Sequence, residues 1–64
     1  MVAINGEEKN CAGMTVAQYL ETTTYDTQRI AVEKNGDIVP KAAYPTTVLK
    51  DGDVVEVVSF VGGG

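Results

Sequence analysis

Residues 1–21, MVAINGEEKNCAGMTVAQYLE, contain the signals that decide the fold class: a hairpin followed by a helix start. Met1–Asn5 reads as a strand, because Val2 and Ile4 alternate onto one apolar face. Asn5-Gly6 is a strong hairpin signal, since both central residues of a two-residue turn need φ above zero. Glu7–Cys11 is therefore predicted to return as a polar edge strand.

The segment that follows the hairpin predicts a helix beginning at Val16. The Thr15 hydroxyl and the Gln18 side chain have the spacing of a capping box, in which each accepts from the other's backbone N–H. Apolar side chains at Val16, Tyr19 and Leu20 have i, i+3, i+4 spacing and would form a buried stripe. The β-branched threonines at 22–24 predict an end near residue 23.

The remaining sequence predicts three more strands. Asn35-Gly36 repeats the hairpin signal, and a Val-rich final strand should lie centrally in the sheet. The predicted elements are a loop at Tyr25–Gln28, strands at Arg29–Lys34 and Asp37–Val39, an irregular or single-turn helical crossing at Lys41–Thr47, a tight turn at Lys50–Asp53 and a strand at Val54–Val61. The order ββαββ plus β predicts an α+β domain. One helix would cover one face of a mixed sheet of about five strands, and the other face would be open.

Size and charge restrict the function classes. A chain of 64 residues makes one domain, and its net charge of −4 argues against nucleic acid as a partner. No apolar run approaches the length of a membrane span, and no signal peptide is visible. The single cysteine, Cys11, cannot form an internal disulfide, which predicts a reducing, cytoplasmic location.

The residue inventory argues against an autonomous enzyme. The sequence has no His and one Cys, so it lacks both a Cys/His zinc site and a Ser-His or Cys-His nucleophile pair. It also lacks the glycine-rich loops that hold nucleotide phosphates. We therefore expect no cofactor or metal bound by the chain itself. Cys11 is interpreted as a small buried or half-buried apolar residue.

The ending Phe60-Val61-Gly62-Gly63-Gly64 is the strongest candidate for a functional site. Glycine weakens strands and helices, so three in succession after a Val-rich strand are not explained by packing. They predict a folded domain at 1–61 and a thin, flexible tail at 62–64 that presents the Gly64 carboxylate for activation. A frayed terminus and a cloning linker are the alternatives.

Alternation along the last strand predicts a docking face beside this tail. Val55 and Val57 would share one face. The opposite face would carry four side chains: Val54, Glu56, Val58 and Phe60. Because Glu56 would be costly in a core, its face is predicted to be the open one, leaving Val58 and Phe60 exposed for a partner. The alternative is that Phe60 packs over a sheet edge.

A family resemblance rests on the element order together with three short motifs. These motifs are Val39-Pro40-Lys41, Lys50-Asp51-Gly52-Asp53 and the ending Phe60-Val61-Gly62-Gly63-Gly64. At this length the combination resembles the ThiS family, the sulfur carriers of bacterial thiamine biosynthesis. The resemblance covers essentially the whole chain and implies the β-grasp, ubiquitin-like fold. The Gly-Gly ending alone is shared with ubiquitin and with the small subunit of molybdopterin synthase.

The resemblance also implies a mechanism and partners. A ThiF-type adenylyltransferase would use ATP and magnesium to adenylate the Gly64 carboxylate, and sulfur from a donor protein would convert it to a thiocarboxylate. Thiazole synthase, ThiG, would then use that sulfur. Val61, Gly62 and Gly63 would form the thread that partners recognise. The protein would be a carrier rather than an enzyme.

Three other functions are compatible with the same sequence features. A sulfur carrier for molybdopterin synthesis would share the fold and the activation chemistry. A ubiquitin-like modifier would join the same C-terminus to lysines. A β-grasp interaction module with an idle tail is the structural alternative.

Overall fold

The computed structural model describes residues 1–60, which form a five-stranded sheet with one α-helix. The strands are β1 (Val2–Ile4), β2 (Glu7–Lys9), β3 (Ile30–Lys34), β4 (Asp37–Val39) and β5 (Val54–Ser59), the helix is α1 (Val16–Glu21), and two 3₁₀ turns cover Thr27–Arg29 and Lys41–Ala43. The element order is the predicted one. The predictions for Val61, Gly62, Gly63 and Gly64 lie outside the described residues.

The sheet is mixed, and its strand order is β2-β1-β5-β3-β4. β5 runs parallel to β1 and antiparallel to β3, so the most hydrophobic strand is central, as predicted. The two hairpins, β1–β2 and β3–β4, supply the strands on either side of it. The strand that leads to residues 61–64 is therefore the middle strand of the five.

Both hairpins turn at Asn-Gly pairs with the predicted backbone geometry. Asn5 and Gly6 have φ angles of 51° and 81°, and Asn35 and Gly36 have 54° and 88°. Asparagine and glycine tolerate this left-handed region better than other residues. The two turns therefore set the register of β1 with β2 and of β3 with β4.

The α1 helix begins with the predicted capping box. The Thr15 hydroxyl accepts from the Gln18 backbone N–H at 3.1 Å, and the Thr15 N–H donates to the Gln18 side-chain oxygen at 2.9 Å. Val16 and Leu20 are buried, while Tyr19 packs against the core at its margin. The helix ends at Glu21, close to the predicted end near residue 23.

The core lies between α1 and one face of the sheet. Its buried side chains are Val2, Ile4, Cys11, Val16, Leu20, Ile30, Val32, Val39, Tyr44, Leu49, Val55 and Val57. Cys11 is 4% exposed, which confirms its interpretation as a small apolar residue. Burial raises the pKa of its thiol, so the reactive thiolate is disfavoured.

Predicted boundaries of four strands were wrong by one or two residues. β1 covers Val2–Ile4 rather than Met1–Asn5, because Asn5 already belongs to the turn, with a φ angle of 51°. β2 ends at Lys9 because the chain then turns and places Cys11 in the core. β3 begins at Ile30, since Arg29 belongs to a 3₁₀ turn whose Asp26 side chain accepts from the Gln28 N–H. β5 ends at Ser59, within the predicted 54–61.

Candidate functional site

The face of the sheet opposite α1 is exposed to solvent, and we call it the open face. Strand register places Ala3, Glu8, Ala31, Glu33, Ile38, Val54, Glu56 and Val58 on it. The alternation predicted along β5 is confirmed, because Val55 and Val57 are buried while Val54 and Val58 are each 52% exposed. Glu56 is exposed on this face, as its charge requires.

Phe60 follows β5 directly and does not pack over the sheet edge. Its side chain is 55% exposed, although its backbone N–H donates to the Arg29 carbonyl at 2.7 Å. This hydrogen bond continues the pairing of β5 with the chain before β3. Val58 and Phe60 therefore present exposed apolar side chains at the last described position before residues 61–64.

The centre of the open face carries a like-charged pair. Glu33 on β3 lies directly opposite Glu56 on β5, and Ile38 on β4 lies opposite Glu33 on the other side. Within residues 1–60, the salt bridges of 4.0 Å or less use other acidic groups: Asp26, Asp51, Asp53 and Glu7. The open face thus combines apolar side chains with uncompensated negative charge.

Two asparagine side chains hold β5, a role that the sequence analysis missed. The Asn5 side chain accepts from the Val57 N–H at 2.7 Å and donates to the Val57 carbonyl at 3.1 Å. The Asn35 side chain accepts from the Val54 N–H at 2.9 Å. Each turn residue thereby extends the hydrogen bonding along β5. The repeated Asn-Gly pair was the available signal, because an amide side chain offers the same donor and acceptor as a peptide group.

Asp53 joins the start of β5 to the turn before it. Its carboxylate accepts from the Asn35 side chain at 3.0 Å and from the Lys50 N–H at 2.9 Å, and the Lys34 ammonium lies 3.8 Å away. The hydrogen bond from Asn35, assisted by the Lys50 N–H and the lysine charges, lowers the pKa of Asp53. The turn at Lys50–Asp53 was predicted, but this network was not.

Residues 1–60 contain neither a metal-binding cluster nor a membrane-spanning helix. No group of three or more His, Cys, Asp or Glu side chains in this span is arranged to hold a metal ion. None of the helices described has the length and apolar character that crossing a bilayer requires.

Sequence and structure comparisons identify the family. The ThiS family model matches residues 2–64. The sulfur carrier protein ThiS of Thermus thermophilus is 38% identical over 64 residues, with each chain covered completely. The crystal structure of the thiamine biosynthesis protein ThiS from Geobacter metallireducens superposes with a TM-score of 0.79 at 30% identity, covering 98% of this chain and 97% of that one.

A relative of a different length carries a different name. A thiazole synthase of Paramagnetospirillum magneticum is 47% identical over 64 residues, which are 98% of this chain and 20% of that protein. The chain thus spans about a fifth of the length of this relative. The family match and the end-to-end relative in Thermus cover both the sheet and the glycine ending. The chain belongs to the ThiS family, the β-grasp sulfur carriers of thiamine biosynthesis.

Proposed function

We propose that this protein carries sulfur for thiazole formation as a thiocarboxylate on Gly64. The observation that supports this most directly is the position of β5. This central strand runs from the core to the exposed Phe60, and the family match continues from there through residue 64. A reactive end attached to the central strand of the sheet can be presented at a defined place on the domain surface.

The proposed chemistry has two balanced steps. The Gly64 carboxylate attacks the α-phosphorus of ATP, forming an acyl-adenylate and releasing pyrophosphate. A hydrosulfide ion then attacks the acyl carbon and expels AMP, and loss of the remaining S–H proton leaves a thiocarboxylate. A glycine at this position has no side chain to hinder the attack.

The proposed partners follow from this chemistry. A ThiF-type adenylyltransferase supplies the ATP and magnesium site, and a sulfur donor protein supplies the nucleophile. Thiazole synthase receives the sulfur; the existence of a longer thiazole synthase that contains a segment like this chain supports that pairing. We place the protein in the cytoplasm, where Cys11 stays reduced.

The proposed docking face is the end of the open face around Val58 and Phe60. These exposed apolar side chains are the kind of patch that marks partner sites. Val61, Gly62 and Gly63 then pass into a narrow channel of the partner, and Gly64 reaches its active site. The negative charge at Glu33 and Glu56 favours partners with basic surfaces.

Intact mass spectrometry tests the proposal. The protein is incubated with a ThiF-type adenylyltransferase, ATP, magnesium and sulfide, and we expect a gain of about 16 Da as one oxygen is replaced by sulfur. A known ThiS carrier in the same mixture controls for enzyme activity. If that carrier gains sulfur and this protein does not, the proposal is wrong.

Deleting Gly64 provides the matched variant. The buried core residues span Val2 to Val57, so the truncated protein should keep its fold while gaining no mass. Loss of the fold would show that the tail has a structural role instead. Lysine-linked adducts in place of the mass gain would favour the modifier function.

A further inference from the structure

The two edges of β5 are paired over different lengths. On the β3 side, pairing runs from Val55 to Ser59 and continues through the hydrogen bond between the Phe60 N–H and the Arg29 carbonyl. On the β1 side, strand pairing covers only Val54 and Val55. β5 therefore extends beyond β1 toward residues 61–64.

The register determines which main-chain groups face the β1 side. The N–H of Phe60 and the carbonyl of Val54 bond toward the β3 side, to Arg29 and Asn35. Val55 accepts from the Asn5 N–H on the β1 side at 2.9 Å. Because the hydrogen-bonding direction alternates along a strand, odd-numbered residues of β5 face β1 and even-numbered residues face β3.

Asn5 occupies the last position at which β1 can pair with β5. The main chain turns away from β5 here, and the Asn5 side chain forms the next pair of hydrogen bonds in its place. It accepts from the N–H of Val57 and donates to the carbonyl of Val57. It thereby substitutes for one further strand residue. The next odd-numbered residue is Ser59, which lies beyond the reach of this substitution.

Ser59 consequently exposes a main-chain donor and acceptor. It is solvent-exposed, and within residues 1–60 no hydrogen bond outside the regular strand pairing reaches its main chain. Its pairing with Ile30 is of the non-hydrogen-bonded kind, because Arg29–Phe60 is a hydrogen-bonded pair. An unpaired N–H and C=O in strand geometry form a template for another strand.

We propose that an extended segment of the activating partner pairs with the main chain of Ser59 on the β1 side of β5. The proposal rests on the proposed function, and it adds a main-chain contact to the side-chain contacts of Val58 and Phe60. Strand addition of this kind takes its affinity from backbone hydrogen bonds and fits an extended segment rather than a helix.

The location gives this contact a purpose. Ser59 lies two residues before Val61, and its opposite edge is already fixed by Ile30 and by the adjoining Arg29–Phe60 hydrogen bond. Pairing on the second edge would hold the chain from both sides just before it enters the partner. The direction in which residues 61–64 leave the domain would then be set before Gly64 reaches the active site.

Amide hydrogen exchange of the unaltered protein tests the contact without a mutation. In the carrier alone, the Ser59 N–H should exchange faster than those of Val57 and Phe60, which have partners in the fold. Adding a ThiF-type adenylyltransferase should protect Ser59. The inference is overturned if Ser59 exchanges equally fast in the complex.

Ser59→Pro removes this N–H and places a ring where the partner segment would pair. Proline is tolerated in strands where its missing N–H would face away from a neighbour, so the β3 ladder should persist. We expect mass gain to slow by about tenfold at subsaturating enzyme, since one hydrogen bond is lost and the edge is blocked. Ser59→Ala, which keeps the N–H, should react as the unaltered protein does.

Controls separate the possible outcomes. Unfolding curves must show that Ser59→Pro is folded. If it is unfolded, the amide exchange of the unaltered protein decides whether Ser59 contacts the partner. Equal rates for the folded Ser59→Pro and Ser59→Ala variants overturn the inference while leaving sulfur carriage intact. If the unaltered protein gains no sulfur, the proposed function itself fails. Protection of Ser59 that rises with carrier concentration, without enzyme, would assign the edge to a second copy and overturn the partner assignment.

Discussion

At the residue scale, asparagine does more in this protein than form turns. Asn5 and Asn35 adopt left-handed backbone conformations, and their side chains also bond to β5. A glycine at either position would accept the turn but would lose the amide contacts. These two residues therefore connect the hairpin turns to the strand that leads to Gly64, the proposed reactive end.

Asp53 provides a prediction for acid stability. Its pKa is lowered in the folded protein, chiefly by the hydrogen bond from Asn35. In an unfolded chain the pKa of an aspartate is about 3.9. The stabilisation is therefore complete above the unfolded pKa and is lost as pH falls through the folded pKa. Stability should drop as the pH is lowered from about 4.

The measurement is urea unfolding of the unaltered protein and Asp53→Asn between about pH 7 and pH 2. The unaltered protein should be more stable by about 1–2 kcal/mol at neutral pH, from hydrogen bonds to a charged group, with the difference shrinking in acid. Asp37→Asn removes an exposed carboxylate and serves as the control. A difference that is constant with pH would contradict the prediction.

At the scale of elements, β5 has one buried face and one exposed face. Val55 and Val57 pack under α1, while Val54, Glu56 and Val58 face solvent. The first N–H groups of the six-residue helix all have partners. Val16 and Ala17 donate to the Thr47 and Tyr44 carbonyls, and the capping box satisfies Gln18. The opposite face stays exposed, and it carries the like-charged pair of Glu33 and Glu56, which opposes folding.

The effect of the opposed Glu33 and Glu56 on the free energy of unfolding can be measured. Like charges directly across two strands are destabilising, so Glu56→Gln should raise the free energy of unfolding by about 0.2–1 kcal/mol. The gain should shrink in high salt, because exposed charges are screened. Glu8→Gln, on the same face but opposite Ala3, should change stability less. Equal effects of the two substitutions in urea unfolding would show that no specific repulsion exists.

At the scale of the whole molecule, the described domain packs a single core and leaves the end of β5 exposed. The buried residues come from every strand except β2, from α1, from the β2–α1 connection that contains Cys11 and from the connection that contains Leu49. This core positions β5 between two neighbours and leaves Val58 and Phe60 outside. Stability and partner recognition should therefore be separable by mutation.

Phe60→Ser tests this separation. Because Phe60 is exposed, the change should alter the free energy of unfolding by no more than about 0.5 kcal/mol. It should weaken binding to the adenylyltransferase by about tenfold, as expected for loss of an apolar contact residue. Val48→Ser removes another exposed apolar side chain, near α1 rather than on the open face, and should leave binding unchanged. Calorimetric titration measures the affinity of each variant for the adenylyltransferase. Equal affinities for the two variants would contradict the prediction.

Local patterns were sufficient for most of the architecture. The two Asn-Gly turns, the capping box at Thr15 and the alternation along Val54–Val58 were all readable, because each depends on residues close together in sequence. The same is true of the glycine ending, whose composition alone marks it as a functional candidate. The element order and the exposed face followed from these signals.

The sequence by itself thus determined the elements, their order and the candidate reactive end. Only the tertiary structure decided how far β5 extends beyond β1, the opposition of Glu33 and Glu56, and the bonding of Asn5 to Val57. The physical reason is separation along the chain. These contacts join residues 23 to 52 positions apart, and their geometry depends on strand register, which is set by the packing of the whole sheet.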